Sequence, residues 1–322
     1  LANPTQIDNK PQSSPGELIK PASWSGELPA QRSRNVSSKR VWPKRRDLGS
    51  FTQYALLGVV SLIFLTPLFL ILRGALMTQS QLTAPHFVWL PAHPNWLAFS
   101  QLFEKNSDGT PSPIVTGLMN SAVIAFSTLV LQMLVSSMAG YALARIPAKG
   151  KGIIFALIVA TLMVPSAVTF VPTFAVIAQL NGINTLWGIV APGAFSAFSI
   201  FLFRQFYLRF PTEVEEAGRL DGLGYFGIYW RLLLPNSKSI FMALGILTFI
   251  GSWNSFLWPL VIGQDPSRWT IQIALSTFLT SETINLPEIF AAAAVAVAPV
   301  VVVFLIMQRH IVEGAKFSGG KE

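Results

Sequence analysis

Six apolar runs, none with an ionisable side chain deep inside it, limit what this chain can fold into. They are Tyr54–Leu72, Leu118–Leu143, Ile153–Ile177, Leu186–Phe206, Ile240–Ile262 and Ile289–Gln308. Each is near the ~20 residues a helix needs to cross hydrocarbon. In lipid no water is present to satisfy backbone N–H and C=O groups, so a long apolar segment closes its hydrogen bonds internally as a helix. Composition agrees: of 322 residues, 52% are hydrophobic and 12% charged, about half the charged share of a soluble domain. The fold expected is all-α and integral to the membrane, with six transmembrane helices.

The charge outside the runs sets topology. Residues 1–50 are rich in Pro, Ser, Gln and charge and lack apolar periodicity, which predicts a disordered polar tail. Residues 51–322 then form one transmembrane domain. The tail closes on Lys39-Arg40-Val41-Trp42-Pro43-Lys44-Arg45-Arg46, a basic run that beside a span fixes orientation and meets anionic lipid. No apolar region precedes a small-residue cleavage site there, so a cleaved signal peptide is not expected. Arg145, Lys149, Lys151, Arg204, Arg209, Arg219, Arg231, Lys238, Arg309, Lys316 and Lys321 gather on the tail's side, against Arg73, Lys105 and Arg268 on the other. Basic residues stay inside, so both termini and segment 210–238 are expected in the cytoplasm. The loops Arg73–Thr116 and Gly263–Glu288 face outward. The net charge of +8 is thus a matter of topology and implies no nucleic acid.

What the runs lack excludes several functions. Ionisable residues within a bilayer mark proton relays and ion paths, so their absence speaks against a proton-driven carrier, a pump or a channel with a charged filter. It also removes the nucleophile–base pairs a membrane enzyme needs. With no cysteine there is no thiolate metal site, and His86, His93 and His310 are too scattered to make one. The nearest glycine–lysine arrangement, Gly314…Gly319-Gly320-Lys321, has neither the spacing nor the Ser/Thr of a phosphate-binding loop. No cofactor is expected on this chain. If it moves a solute, the energy comes from another protein.

Glu213–Lys238 is the polar segment through which such energy could enter. Thr212 is expected to N-cap a short helix, with Glu215 at capping-box spacing. Glu213, Glu215 and Glu216 place negative charge on the positive end of its dipole. Asp221-Gly222 ends it, and a second helix runs from about Tyr225 until Pro235 breaks it. Phe226, Tyr229, Trp230 and Leu233 recur at helical spacing, a face suited either to lying on lipid or to docking a soluble partner.

The residues Glu215-Glu216-Ala217-Gly218-Arg219-Leu220-Asp221-Gly222, followed by Leu233-Leu234-Pro235, resemble the EAA loop of ABC importer permeases. The alanine usual at the third EAA position is Gly218 here. The likeness extends from Tyr54 to the C-terminus through Ala142-Leu143-Ala144-Arg145, Met163-Val164-Pro165-Ser166, Asn181-Gly182-Ile183-Asn184-Thr185, Phe201-Leu202-Phe203-Arg204-Gln205-Phe206 and Gly251-Ser252-Trp253-Asn254-Ser255-Phe256-Leu257-Trp258-Pro259-Leu260. Together these are similar to the six-span carbohydrate permease of the maltose-transporter type, a binding-protein-dependent inner-membrane component with the type I importer fold. The resemblance implies import of a sugar or oligosaccharide across a bacterial or archaeal cytoplasmic membrane, and no catalysis in this chain. It implies a second permease subunit, two copies of a cytoplasmic ATPase that hold ATP and Mg, and an extracytoplasmic sugar-binding protein. It assigns coupling to Glu215, Glu216, Ala217, Gly218, Asp221, Gly222, Phe226, Tyr229, Trp230, Leu234 and Pro235. Two alternatives stand beside it: a permease for another small polar solute such as a polyol or glycosylated osmolyte, and a non-transporting assembly or sensor subunit.

In the fifth run Ser252, Trp253, Asn254 and Ser255, with Trp258 beyond, place hydroxyl, indole N–H and carboxamide groups at membrane depth. A sugar is held by neutral hydrogen-bonding groups and flat aromatic faces, so these residues are candidates for lining its path. The same groups can instead bond between helices as polar glue.

Overall fold

A computed structural model describes residues 48–91, 93–106, 109–280 and 284–319; the tail expected over residues 1–50 lies outside them up to residue 47. Among the described residues all regular structure is helical. By packing, the chain divides into Leu1–Ala55 and Leu56–Glu322. Of the first unit only the opening turns of α1 (Leu48–Ala75) are described; the rest of α1 and every other element belong to the second.

Three helices are single spans by length and composition: α1, α4 (Pro113–Arg145) and α15 (Leu286–Gly319). Short helices α2 (Gln79–Leu82) and α3 (Leu97–Phe103) lie in the loop before α4. The third run is not one helix. α5 (Lys151–Thr161) and α6 (Ser166–Gln179) meet at 104°, because Pro165 has no N–H to continue the ladder and holds Val164 out of the helical region. The fourth run is α7 (Leu186–Val190), a 3-10 turn Ala191–Ala194 and α8 (Ala197–Leu208), bent by 42° at the break. α9 (Thr212–Leu220) and α10 (Tyr225–Ile228) begin the two halves of the polar segment. The second half continues through a π turn, Tyr229–Leu233, into α11 (Leu234–Asn236). The fifth run is α12 (Lys238–Trp253) and α13 (Leu257–Ile262), with the chain unwound between them. The loop expected over Gly263–Glu288 contains a 3-10 turn, Pro266–Arg268, and a further helix, α14 (Ile271–Thr280). Counting each bent pair as one span (α5 with α6, Leu186–Ala194 with α8, and Tyr225–Asn236 with α12) gives up to six by length and composition.

α4 is the central element, packed along α8, α12 and α14. Glycine permits the tightest contact: a Cβ on Gly140 would lie 2.6 Å from Phe203 Cβ and 2.9 Å from Arg204 N. At one end, alanines of α15 (Ala291, Ala292, Ala296) close on Ala125, Ile271 and Trp253, the small-residue packing that draws membrane helices together. At the other, Tyr141, Phe203 and Tyr207 surround Ile228, Tyr229 and Leu233. The span of α1 is predominantly apolar, and the described residues cover almost none of it before its last turn.

Candidate functional site

The two-helix loop is held from beneath. Pro211 occupies the position before α9, so Thr212 is its first helical residue and makes no capping bond. The capping box expected of Thr212 and Glu215 is therefore absent. Glu215 turns inward, 4% exposed, with an oxygen 3.0 Å from Arg145 Nε. That Nε–H donates to the Tyr207 carbonyl at 2.9 Å and Nη2 donates to Phe210 O. The carboxylate thus gains the charge of Arg145 but not its hydrogen, and Oε1 is left without a donor. Burial raises the Glu215 pKa above its ordinary 4.5, against the opposing pull of Arg145 and then Arg219. Arg145 thus adds a second donor to the Tyr207 carbonyl, which already accepts from Phe210 N–H at 3.2 Å, and caps Phe210 O just beyond the end of α8.

α9 ends in a Schellman motif: Leu223 N–H donates to Gly218 O at 2.9 Å and Gly222 N–H to Arg219 O at 3.0 Å. Gly222 takes φ +81°, the left-handed region in which other L residues are strained. A Cβ on Gly218 would stand 2.6 Å from Leu232 Cδ1, so the two halves of the loop touch there.

Pro235 does not break the second half, as the sequence reading expected. Leu234 N–H reaches back five residues to Tyr229 O, which widens the turn just before the residue that cannot donate. Asn236 Nδ2 then donates to Leu232 O at 2.7 Å and Ser237 Oγ to Leu233 O at 2.6 Å. The chain turns 77° into α12 only after that. The apolar face also divides. Ile228, Tyr229 and Leu233 are buried against α4 and α8, and burial raises the Tyr229 pKa despite its bond to Ser137. Phe226 is 67% exposed, Trp230 40% and Leu220 89%. The first two meet edge to face at 5.9 Å between centroids. Glu216, Ala217, Asp221 and Pro235 are exposed beside them, and Leu234 is half-buried.

A second feature lies along α4. A cavity of about 520 Å³ opens between α4, the Ala191–Ala194 turn, α8, α12 and α13. Ser252, Ser255 and Trp258 line it; Trp253 and Asn254 do not. Neighbouring helical positions point about 100° apart, which sends Trp253 to the opposite side, where Nε1 donates to Ala296 O at 3.0 Å and the ring stacks on Phe249. Asn254, where α12 unwinds, is exposed and accepts from Gln272 Nε2 at 3.3 Å. For Trp253 the polar-glue reading describes the geometry. Trp258 directs its edge past the cavity to Gly188 O at 3.3 Å and meets Phe170 edge to face. The sequence reading passed over Gln132, whose Nε2 donates to both Ser199 Oγ and Thr248 Oγ1 at 2.9 Å, joining three helices at the cavity wall. A glutamine in the middle of an apolar run was the available signal. Thr128, Ser196 and Ser199 complete a lining without any charged residue.

Residues 132–316, which include Gln132, the loop and the fifth run, match the family described as binding-protein-dependent transport system inner membrane component. The chain belongs to that family. This permease is 33% identical over 263 residues to the arabinooligosaccharides transport system permease protein AraQ of Bacillus subtilis (strain 168), covering 82% of this chain and 92% of that one. It is 34% identical over 273 residues to the sn-glycerol-3-phosphate transport system permease protein UgpE of Yersinia pestis bv. Antiqua (strain Antiqua), covering 84% and 96%. With the lactose transport system permease protein LacG of Rhizobium radiobacter it shares 31% over 272 residues, covering 84% and 96%. Its fold is that of a chain in the crystal structure of a bacterial ABC transporter involved in the import of the acidic polysaccharide alginate. The TM-score is 0.73 at 20% identity, over 83% of this chain and 98% of that one.

Proposed function

We propose that this permease forms part of an ATP-driven importer that carries a sugar or oligosaccharide across the cytoplasmic membrane. The observation that carries this reading is the cavity: hydroxyls of Thr128, Ser196, Ser199, Ser252 and Ser255, the Gln132 amide and the Trp258 ring, with no charge among them. Neutral donors and acceptors beside an aromatic face suit a polyhydroxylated solute. The names of AraQ and LacG support the same cargo class.

In this reading a second permease subunit completes the pathway, an extracytoplasmic binding protein delivers the sugar, and two copies of an ATPase hold ATP and Mg. The outward row of the loop, Leu220, Phe226 and Trp230 with Glu216 at its side, is the surface on which the ATPase docks. Glu216 supplies the polar contact and the aromatic pair the apolar one. ATP closure of the ATPase dimer displaces the loop, the helices rock from inward- to outward-facing, and hydrolysis resets them. This chain performs no covalent step.

The test is reconstitution of the purified complex in vesicles with its binding protein. Arabino- or lacto-oligosaccharide added with the binding protein should stimulate ATP hydrolysis and accumulate inside. Basal hydrolysis that no sugar-loaded binding protein raises would overturn the transport reading.

A further inference from the structure

Ser137, Tyr141 and Arg145 follow one another on α4 at four-residue intervals and so share one face of the helix. All three are buried or nearly so. Each holds a different part of the two-helix loop. Ser137 Oγ lies 3.2 Å from Leu134 O and shares a 2.7 Å hydrogen bond with Tyr229 Oη. Tyr141 Oη donates to the Tyr225 carbonyl at 3.0 Å. Arg145 pairs with Glu215 and bonds the chain that leads into α9.

The same helix reaches the cavity and beyond it. Gln132 ties α4 to α8 and α12 at the cavity wall. Near the other end Asn120 Nδ2 donates to Ser267 O and Trp269 O, both at 2.9 Å, and Ser121 Oγ accepts from Ile271 N–H at 2.9 Å. α4 is about 50 Å long, one continuous helix whose only proline is at the first helical position, so no proline breaks its interior; Gly140, among the clamp residues, is packed tightly on Phe203 and Arg204.

We propose that Ser137, Tyr141 and Arg145 are positioning residues that clamp the two-helix loop to α4, making the loop, the Gln132 cavity wall and the Pro266–Arg268 loop one moving body. A displacement imposed on the loop then arrives at the cavity undiminished. The buried row Ile228, Tyr229 and Leu233 supplies the packing; the three polar contacts fix its register. The proposal rests on the loop being the site at which the ATPase acts.

The chain lacks cysteine, so a spin-label pair at R231C and V130C reports loop against α4 in the assembled complex, its other subunits being made cysteine-free. In the otherwise unaltered chain one narrow distance distribution is expected, the same within about 2 Å with and without ATP. In the double variant Ser137→Ala, Tyr141→Phe the ATPase subunit should still co-purify and hydrolyse ATP, the distribution should broaden, and sugar taken up per ATP should fall about tenfold. A distance that moves with ATP in the unaltered clamp overturns the proposal, since the loop then swings independently of α4. So does a double variant with unchanged distance and unchanged uptake per ATP. Loss of ATPase co-purification also overturns it, by assigning the residues to docking. If the unaltered complex imports no sugar, the transport reading fails, while the distance measurement still decides on the clamp.

Discussion

Glu215 carries a charge into a site where no hydrogen bond reaches its Oε1. Desolvation outweighs Arg145 and Arg219, so its folded pKa lies above the ordinary 4.5. The sign follows from proton binding. Between 4.5 and the raised value the folded loop binds more protons than the opened one. Stability is therefore fullest below 4.5 and is lost as pH rises through the folded pKa. Hydrogen-exchange protection of α9 amides, corrected for intrinsic rates, should fall across that window in the unaltered chain. In Glu215→Gln it should be flat. A wild-type profile that rises with pH would show that Arg145 dominates instead. Arg145→Ala is the harsher change. It leaves Glu215 buried without Arg145 and removes the donor to Phe210 O, while Tyr207 O keeps the Phe210 N–H; a buried pair broken on one side costs roughly 3–5 kcal/mol. The readout is a lower melting temperature of the detergent-solubilised chain than in Glu215→Gln.

At the scale of elements, the joint between α9 and α10 depends on one backbone conformation. Gly222→Ala meets no neighbouring atom and incurs only the left-handed penalty, about 1–2 kcal/mol. Gly222→Pro cannot reach φ +81° and loses the N–H that bonds Arg219 O. The alanine variant should retain most sugar uptake, and the proline variant should insert in the membrane yet transport nothing. Equal uptake in both would remove the joint from the mechanism. That joint was legible in the sequence, because Asp-Gly at a helix end has a local cause. So were the six runs and the body of α4, which follow from hydropathy and the absence of interior proline, although the helix expected over Leu118–Leu143 begins already at Pro113 and ends at Arg145. Pro165 stands in the third run, where a proline interrupts the helical ladder, but the 104° angle between α5 and α6 cannot be read from that residue alone. The π turn escaped notice because it depends on how Tyr229 and Leu233 seat against α4. Glu215 misled for the same reason: its capping spacing is real, and a buried arginine from a helix 70 residues earlier outcompetes it. Trp253 could be placed on α12, but the side it faces is fixed by α15.

At the scale of the whole molecule, the two polar regions stand at opposite ends of α4. From Ser121, which bonds the Ile271 amide, to Arg145, which pairs with Glu215, the helix rises about 36 Å. That exceeds the ~30 Å of bilayer hydrocarbon, long enough for the Pro266–Arg268 loop and the two-helix loop to emerge on different sides, as the proposed function requires. Charge supplies the orientation we propose. Arg145, Lys149, Lys151, Arg209, Arg219, Arg231 and Lys238 lie at the α9 end, and Arg73, Lys105 and Arg268 at the other. Basic residues near span ends are retained in the cytoplasm, and in the proposed function the surface offered by Phe226 and Trp230 meets the ATPase from that side. Single-cysteine variants Gln264→Cys and Asp221→Cys, both at exposed positions, test this in a chain with no cysteine of its own. A membrane-impermeant maleimide added to spheroplasts should label Gln264→Cys at once, and Asp221→Cys only after detergent permeabilisation. The reverse pattern would place the two-helix loop outside, beyond the reach of any cytoplasmic motor, and the docking role of Leu220, Phe226 and Trp230 would fall with it.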